Sequence, residues 1–246
     1  MTAATPFRGV LLDIEGTTSS IEFVFKVMFP FVRDHLSEYL AKQSLSDTCT
    51  SAANQIAIDA GFTDLQSAFG GSLVEPTVQV KLCRHVLGLM DADVKATGLK
   101  SLQGLIWEDA FRSGQMRAHV YVDVVPAMKR WLETGCKIWI YSSGSVHAQK
   151  LFFAHSIEGD LLPMISGHWD TTIGGKRDVS SYQKIASQID AEAGIRASDL
   201  LFISDVVEEL DAARHADLQT RLSIREGNKP VELPCGHVVI ETFDSM

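Results

Sequence analysis

The chain has 246 residues, 46% of them hydrophobic and 22% charged, a balance that belongs to a folded protein and excludes a disordered one. Its net charge is −9, from 22 Lys and Arg against 31 Asp and Glu, and no basic stripe stands out to neutralise a nucleic-acid backbone. No run approaches the roughly 18 uninterrupted apolar residues of a membrane span, and the start MTAATPFRG lacks the apolar core of a signal peptide. Cys49, Cys83, Cys136 and Cys235 form no C-x-x-C pair, which argues against a zinc knuckle or a dithiol redox site. These features lead us to expect a cytoplasmic protein with free cysteines and neither nucleic acid nor membrane as partner.

In chain order, Phe7 to Asp13 carries the short apolar run Val10-Leu11-Leu12 and stops at Asp-Ile-Glu-Gly-Thr-Thr, the pattern of a buried parallel strand. From Ile21 to about Gly114 the apolar residues recur at three-to-four spacing, as in Phe25, Met28, Phe29, Val32, Leu36 and Leu40. This stretch reads as four or five helices with no strand, with Pro30 marking a helix start or a kink. Alternation of strands and helices then resumes. Pro126 to Glu133 predicts a helix, Lys137 to Tyr141 a strand, Val146 to Phe153 a helix and Leu162 to Ile165 a short strand. Ser180 to Ala193 and Glu208 to Ala216 are helical, and strands are expected at Leu200 to Ile203, Thr220 to Ile224 and Val238 to Ile240. The fold class is therefore α/β, a Rossmann-like three-layer core around a parallel sheet. Residues 1–18 and 118–246 form that core, and residues 19–117 a helical insertion after the first strand.

Three predicted strands end in polar residues of matching kind: Asp13 with Glu15, Ser142 with Ser143, and Asp205. Ligands of an open parallel sheet sit beyond the carboxyl ends of its strands, so these groups suggest one site. An ionised Asp can attack phosphorus and split hydrolysis into two easier steps. Carboxylate oxygens suit the hard ion Mg²⁺. A Ser hydroxyl ahead of a helix N-terminus suits phosphate oxygens, although Ser142 and Ser143 equally suit N-capping of that helix. Each acid also has a plainer role, since Asp13 alone can cap a turn and Asp205 a helix. Glu208 and Glu209 read as first-turn acids favourable to the helix dipole, with Glu209 also within reach of a metal's outer shell. His147, His155 and His168 lack metal-ligand spacing and read as surface or packing residues. No G-x-S-x-G elbow surrounds Ser143 or Ser145, which argues against serine nucleophile chemistry.

With D-I-E-G-T as first motif, Ser142 as second, Lys176 as third and Asp205 as fourth, the chain resembles the phosphatases of the haloacid dehalogenase superfamily. Most of those carry Asp two residues after the nucleophile, where this chain has Glu15. That departure, together with Y-S-S-G-S-V-H-A-Q-K-L-F-F, W-D-T-T-I-G-G-K, S-Y-Q-K-I-A and K-A-T-G-L-K-S-L-Q-G-L-I-W, makes it similar to the enolase-phosphatase E1 family of methionine salvage. The resemblance runs over nearly the whole chain. It implies the haloacid dehalogenase fold with the helical insertion as a cap. It also implies enolisation and then dephosphorylation of a small diketo phosphate, with Asp13 accepting the phosphoryl group. By the same carry-over Asp13, Glu15 and Asp205 hold one Mg²⁺ per subunit, and Ser142, Ser143 and Lys176 bind the substrate. Glu15, with its longer reach, is the candidate for moving the carbon-bound proton. The family resemblance and the acidic surface imply a monomer. The alternative is a phosphatase of the same superfamily acting on another small phosphorylated metabolite.

Overall fold

The computed structural model describes residues 7–244 and Met246. Six strands run through it: β1 (Gly9–Leu12), β2 (Lys137–Tyr141), β3 (Gly167–Trp169), β4 (Leu200–Ser204), β5 (Gln219–Ser223) and β6 (Val238–Ile240). They form one sheet in the order β3-β2-β1-β4-β5-β6, with every neighbouring pair parallel. Unbroken apolar runs such as Leu200-Leu201-Phe202-Ile203 are what a parallel strand covered on both faces requires, and β1 and β4 are buried throughout. The register sets Leu12 beside Ile140 of β2 and Ile203 of β4, so the chain leaves all three central strands at the same edge.

Helices α7 (Val124–Glu133), α8 (Val146–Ala154), α9 (Val179–Ala193) and α10 (Val207–His215) connect these strands. Tyr182, Ile185 and Ile189 of α9 recur at helical spacing and pack with Leu11, Trp139 and Phe202 of the sheet. The strand expected at Leu162 to Ile165 is instead a 3₁₀ turn, Leu162–Met164, and the strand begins at Gly167. Pro163 explains the shift, because it has no N–H to give a ladder and favours the first turn of a helix.

The chain divides into two compact units, residues 25–116 and the remainder. The remainder contains the sheet, helices α7 to α10 and one further helical turn, α1 (Ile21–Phe23), after which the chain passes through a π-helical turn, Val24–Met28. In residues 25–116 the helices are α2 (Phe29–Lys42), α3 (Asp47–Asp59), α4 (Leu65–Phe69), α5 (Pro76–Asp91) and α6 (Thr97–Ser113), with no strand among the described residues. Pro30 sits in the first turn of α2 and is a helix start, where its missing N–H has no partner to lose. Leu36, Leu40, Ile56, Leu82, Leu102 and Ile106 give this unit its own apolar core. At Gly98 a Cβ would stand 2.3 Å from the Ile56 amide nitrogen, so only glycine lets α6 lie against α3. None of the described helices is long and apolar enough to cross a membrane. All four cysteines are free, and burial pushes the thiols of Cys49 and Cys136 up to about 11 and about 12, leaving them protonated.

Candidate active site

The strand order reverses at β1: the chain runs outward through β2 and β3, then returns to add β4 on the other side. The crevice beyond the carboxyl ends of β1 and β4 is where a doubly wound sheet of this order takes its ligand. Asp13 and Asp205 follow those two strands directly.

Asp13 is 4% exposed and continues the sheet, its amide donating to Ile203 O at 3.0 Å. The Ile14 amide donates to Asp13 Oδ1 at 2.8 Å, which orients the carboxylate before any ligand arrives. The Thr18 hydroxyl, 3.1 Å from Asp13 O and 3.3 Å from Ile14 O, ties down the turn behind it. At Gly16 the turn takes φ +70°, and a Cβ there would lie 2.5 Å from Asp205 Oδ2, so glycine is required both by conformation and by space. Glu15 is half-buried in this turn and bridges to Ser19.

Lys176 reaches the same point from the loop after β3. Its Nζ is 2.7 Å from Asp13 Oδ1 and 2.7 Å from Glu209 Oε2, with the side chain 9% exposed. Two tyrosines hold this loop by its carbonyls: Tyr141 of β2 donates to Gly174 O at 2.9 Å and Tyr182 of α9 to Lys176 O at 2.6 Å. Ser204 closes the ring, its Oγ lying 2.9 Å from Glu209 Oε2 and 3.3 Å from Asp13 Oδ2. Ser142 follows β2 and is buried; its amide donates to Trp169 O at 3.2 Å, and its Oγ accepts from the Gly144 amide at 3.3 Å. Ser143 is exposed. Capping of α8 falls to neither serine: Ser145 Oγ accepts from the Ala148 amide at 3.2 Å and Asp170 Oδ2 from the Val146 amide at 2.9 Å. Asp205 likewise is not the cap of α10, whose N-cap is Val206.

The electrostatics follow from burial and crowding. Burial pushes the Asp205 carboxyl up to about 7, with the charges of Asp13 and Glu209 adding to it. Glu209 is raised for the same reasons, burial first and Asp13 next. Burial draws the Lys176 ammonium down, but Asp13 and Glu209 outweigh that and leave it above its ordinary value. Three acids thus crowd one lysine in a water-poor crevice, an arrangement that calls for further positive charge.

Among the described residues no group of three or more His, Cys, Asp or Glu side chains is set to hold a metal ion alone. Mg²⁺ does not need such a cage, since it keeps several waters and is usually bound by one or two carboxylates plus substrate phosphate. Hard oxygens at the ends of adjacent strands, under-neutralised by Lys176, fit that ion. Glu209 is the group that sequence reasoning undervalued: it is a direct partner of Lys176 and not merely a dipole acid. The available signal was its position five residues after Ser204, which lets the first turn of α10 bring it back over the end of β4.

No protein-family model matches the chain. Among solved structures, the magnesium-bound HAD-hydrolase YfnB of Bacillus subtilis superposes with TM-score 0.57 at 13% identity, covering 98% of this chain and 97% of that one. The L-2-haloacid dehalogenase of Xanthobacter autotrophicus gives TM-score 0.52 at 12% identity, over 97% and 96%. The fold is therefore that of the haloacid dehalogenases. The UTR4 protein of Saccharomyces cerevisiae is nearer, with TM-score 0.76 and 33% identity over 98% of this chain and 100% of that one. The enolase-phosphatase E1 of Stenotrophomonas maltophilia strain R551-3 is 45% identical over 243 residues, 97% of this chain and 98% of its own. That of Xenopus tropicalis is 41% identical over 230 residues, 91% and 87%. The chain belongs to the enolase-phosphatase E1 family.

Proposed function

We propose that this protein is the bifunctional enolase-phosphatase that converts 2,3-diketo-5-methylthiopentyl-1-phosphate to the acireductone 1,2-dihydroxy-3-keto-5-methylthiopentene and phosphate in methionine salvage. Family membership supports the substrate. The observation that carries the chemistry is the buried Asp13 carboxylate at the strand-order reversal, oriented by the Ile14 amide and held 2.7 Å from the Lys176 ammonium.

In this reading Asp13 attacks phosphorus, the bond from phosphorus to the substrate's C1 oxygen breaks, and that oxygen leaves with the electron pair and takes a proton. Water then hydrolyses the aspartyl-phosphate and restores Asp13. Lys176 offsets charge on the phosphoryl oxygens, while Ser142 and Ser143 hydrogen-bond the phosphate. Glu15 moves the carbon-bound proton of the preceding enolisation. Asp13, Asp205 and Glu15 would hold one Mg²⁺, which when bound supplies Lewis-acid polarisation of substrate oxygens and neutralises phosphate charge. Residues 25–116 are the segment we assign as the inserted cap. The acidic balance and four free thiols support a monomer acting in the cytoplasm.

The test follows the diketo phosphate by ultraviolet absorbance while released phosphate is assayed, with Mg²⁺ and after chelation. The expected result is an enol signal that rises before phosphate, with both steps lost on chelation and restored by Mg²⁺. Phosphate release from simple monoesters with no reaction of the diketone would remove the enolase half and leave a phosphatase of another metabolite.

A further inference from the structure

Asn228 lies in the loop after β5 and is half-buried. Its Nδ2 donates to Gly16 O at 2.9 Å and to Ser223 O at 3.2 Å. Both amide protons are therefore spent on carbonyls, and this fixes the amide's orientation, since the reverse would set Oδ1 against two carbonyl oxygens. The Ser223 hydroxyl donates to the same Gly16 carbonyl at 3.2 Å, so the turn that carries Asp13 is clamped twice from the end of β5.

The other end of the amide has no such purpose. Asn228 Oδ1 is buried and accepts no hydrogen bond from any described residue. It points where the site is crowded: a Cβ built on Gly16 would stand 2.8 Å from Asn228 Oδ1 and 2.5 Å from Asp205 Oδ2. An amide oxygen and a carboxylate oxygen thus both lie against Gly16, and the amide oxygen has no hydrogen-bond partner among the described residues. Two acceptors so placed repel unless a proton, a cation or a donor of two protons joins them, and a water on a metal ion is such a donor.

We propose that Asn228 is a positioning residue for the cation: Oδ1 accepts a hydrogen bond from a water of a Mg²⁺ ion held by Asp13 and Asp205, while Nδ2 fixes the turn that presents Asp13. The inference rests on the magnesium reading above and deepens it. Asn228 belongs to none of the four motifs, and it comes into view only because the β5 loop folds back onto the Gly16 turn.

Calorimetric titration of the substrate-free protein with Mg²⁺ gives the energetic test. Asn228→Ala should weaken Mg²⁺ binding about 10–100-fold, the usual cost of losing an outer-shell partner. Ser223→Ala loosens the same clamp but leaves Oδ1 in place, and should stay within about threefold of wild type. A proximity test needs no substitution. The chain has only two asparagines, Asn54 and Asn228, so ¹⁵N-asparagine labelling gives two side-chain amide pairs. Addition of Mn²⁺ should broaden the Asn228 pair at substoichiometric metal. Mg²⁺ affinity unchanged in Asn228→Ala, or an Asn228 amide indifferent to Mn²⁺ that demonstrably binds, would overturn this proposal alone. Wild-type protein that binds neither ion would overturn the magnesium reading and this proposal with it.

Discussion

Two charged clusters are buried in the α/β unit, and they differ in how completely each is neutralised. At the first, Asp13, Asp205 and Glu209 crowd the single ammonium of Lys176, and the carboxyls of Asp205 and Glu209 are pushed upward. At the second, Asp123 Oδ2 accepts from Arg225 at 2.8 Å, from the Phe243 amide at 2.6 Å and from Thr242 Oγ1 at 3.2 Å. Arg225 also donates to Glu241 O at 2.8 Å and lies between the rings of Tyr121 and Phe243, 4.5 and 4.8 Å away. Burial pushes the Asp123 carboxyl up, but Arg225 and the Phe243 amide outweigh it and hold the group below the usual carboxylate range. In one cluster charge is matched by charge and bonded to the C-terminal segment, although Arg225 Nε finds no hydrogen-bond partner among the described residues; the other is left negative. A buried charge that its own neighbours satisfy serves the fold, and one left wanting a partner marks where a ligand goes.

Substituting one acid in each cluster should separate the two roles, and the largest effect belongs to the open one. Asp13→Asn should lower kcat by about 10⁴-fold or more, as removal of a nucleophile does. The substitution relieves repulsion on Asp205 and Glu209 while Lys176 keeps Glu209. The melting temperature without Mg²⁺ should therefore equal or exceed that of wild type. Residual turnover near the wild-type rate would dismiss Asp13 as nucleophile. A large fall in melting temperature would mean that this cluster is structural after all.

Asp123→Ala should do the reverse. It leaves Arg225 buried and uncompensated and frees the Phe243 amide, a loss of about 3–5 kcal/mol of stability. Activity per folded molecule should stay at the wild-type level, as compared after denaturant titration. The pH dependence has a definite sign. With its folded value held below the ordinary 3.8, Asp123 contributes stability above about pH 4, and that contribution is lost as the pH falls through the folded value. The variant should therefore show a shallower loss of stability in acid. If Asp123→Ala removed catalysis at unchanged stability, the two clusters would have to exchange their assigned roles.

The open cluster was the more legible of the two. Acids after apolar strands announce a site because a buried parallel strand gives them nowhere to go but the crevice, and so Asp13 and Asp205 stood out. Lys176 could be found only from Gly174-Gly175 before it and the family motifs, since no periodicity distinguishes a loop lysine, and it is Tyr141 and Tyr182 that hold its loop. Asp123 and Arg225 are 102 residues apart in sequence, and nothing local to either residue signals the pairing. In residues 25–116 the three-to-four spacing exposed the helices readily, because packing a helix onto a core imposes that period. The π-helical turn at Val24–Met28 left no such trace. At Leu162 the apolar count suggested a strand, and the one residue that forbids it, Pro163, was outvoted.

A third buried titratable group lies between the two extremes and gives the smallest effect. His168 of β3 is half-buried, with Nδ1 3.2 Å from Gln149 Oε1. Gln149 in turn donates its amide protons to Gly144 O and Trp169 O, each at 2.8 Å, so Oε1 is the acceptor and His168 Nδ1 carries the proton. Burial, with a smaller push from Lys150, lowers the imidazole from 6.5 to about 4, so the folded protein holds this ring neutral. As pH falls below about 6.5 the unfolded chain takes up a proton that the folded chain refuses, and stability declines until about pH 4. Solvent reaching the ring reduces the effect to about 1 kcal/mol over that window. His168→Gln removes the titration and keeps a donor for Gln149, so urea midpoints at pH 7.5 and pH 4.5 should lie closer together in the variant than in wild type. Equal spacing in both proteins would mean that His168 is as readily protonated folded as unfolded. The ring would then belong with the solvated surface and not with the charges that burial controls.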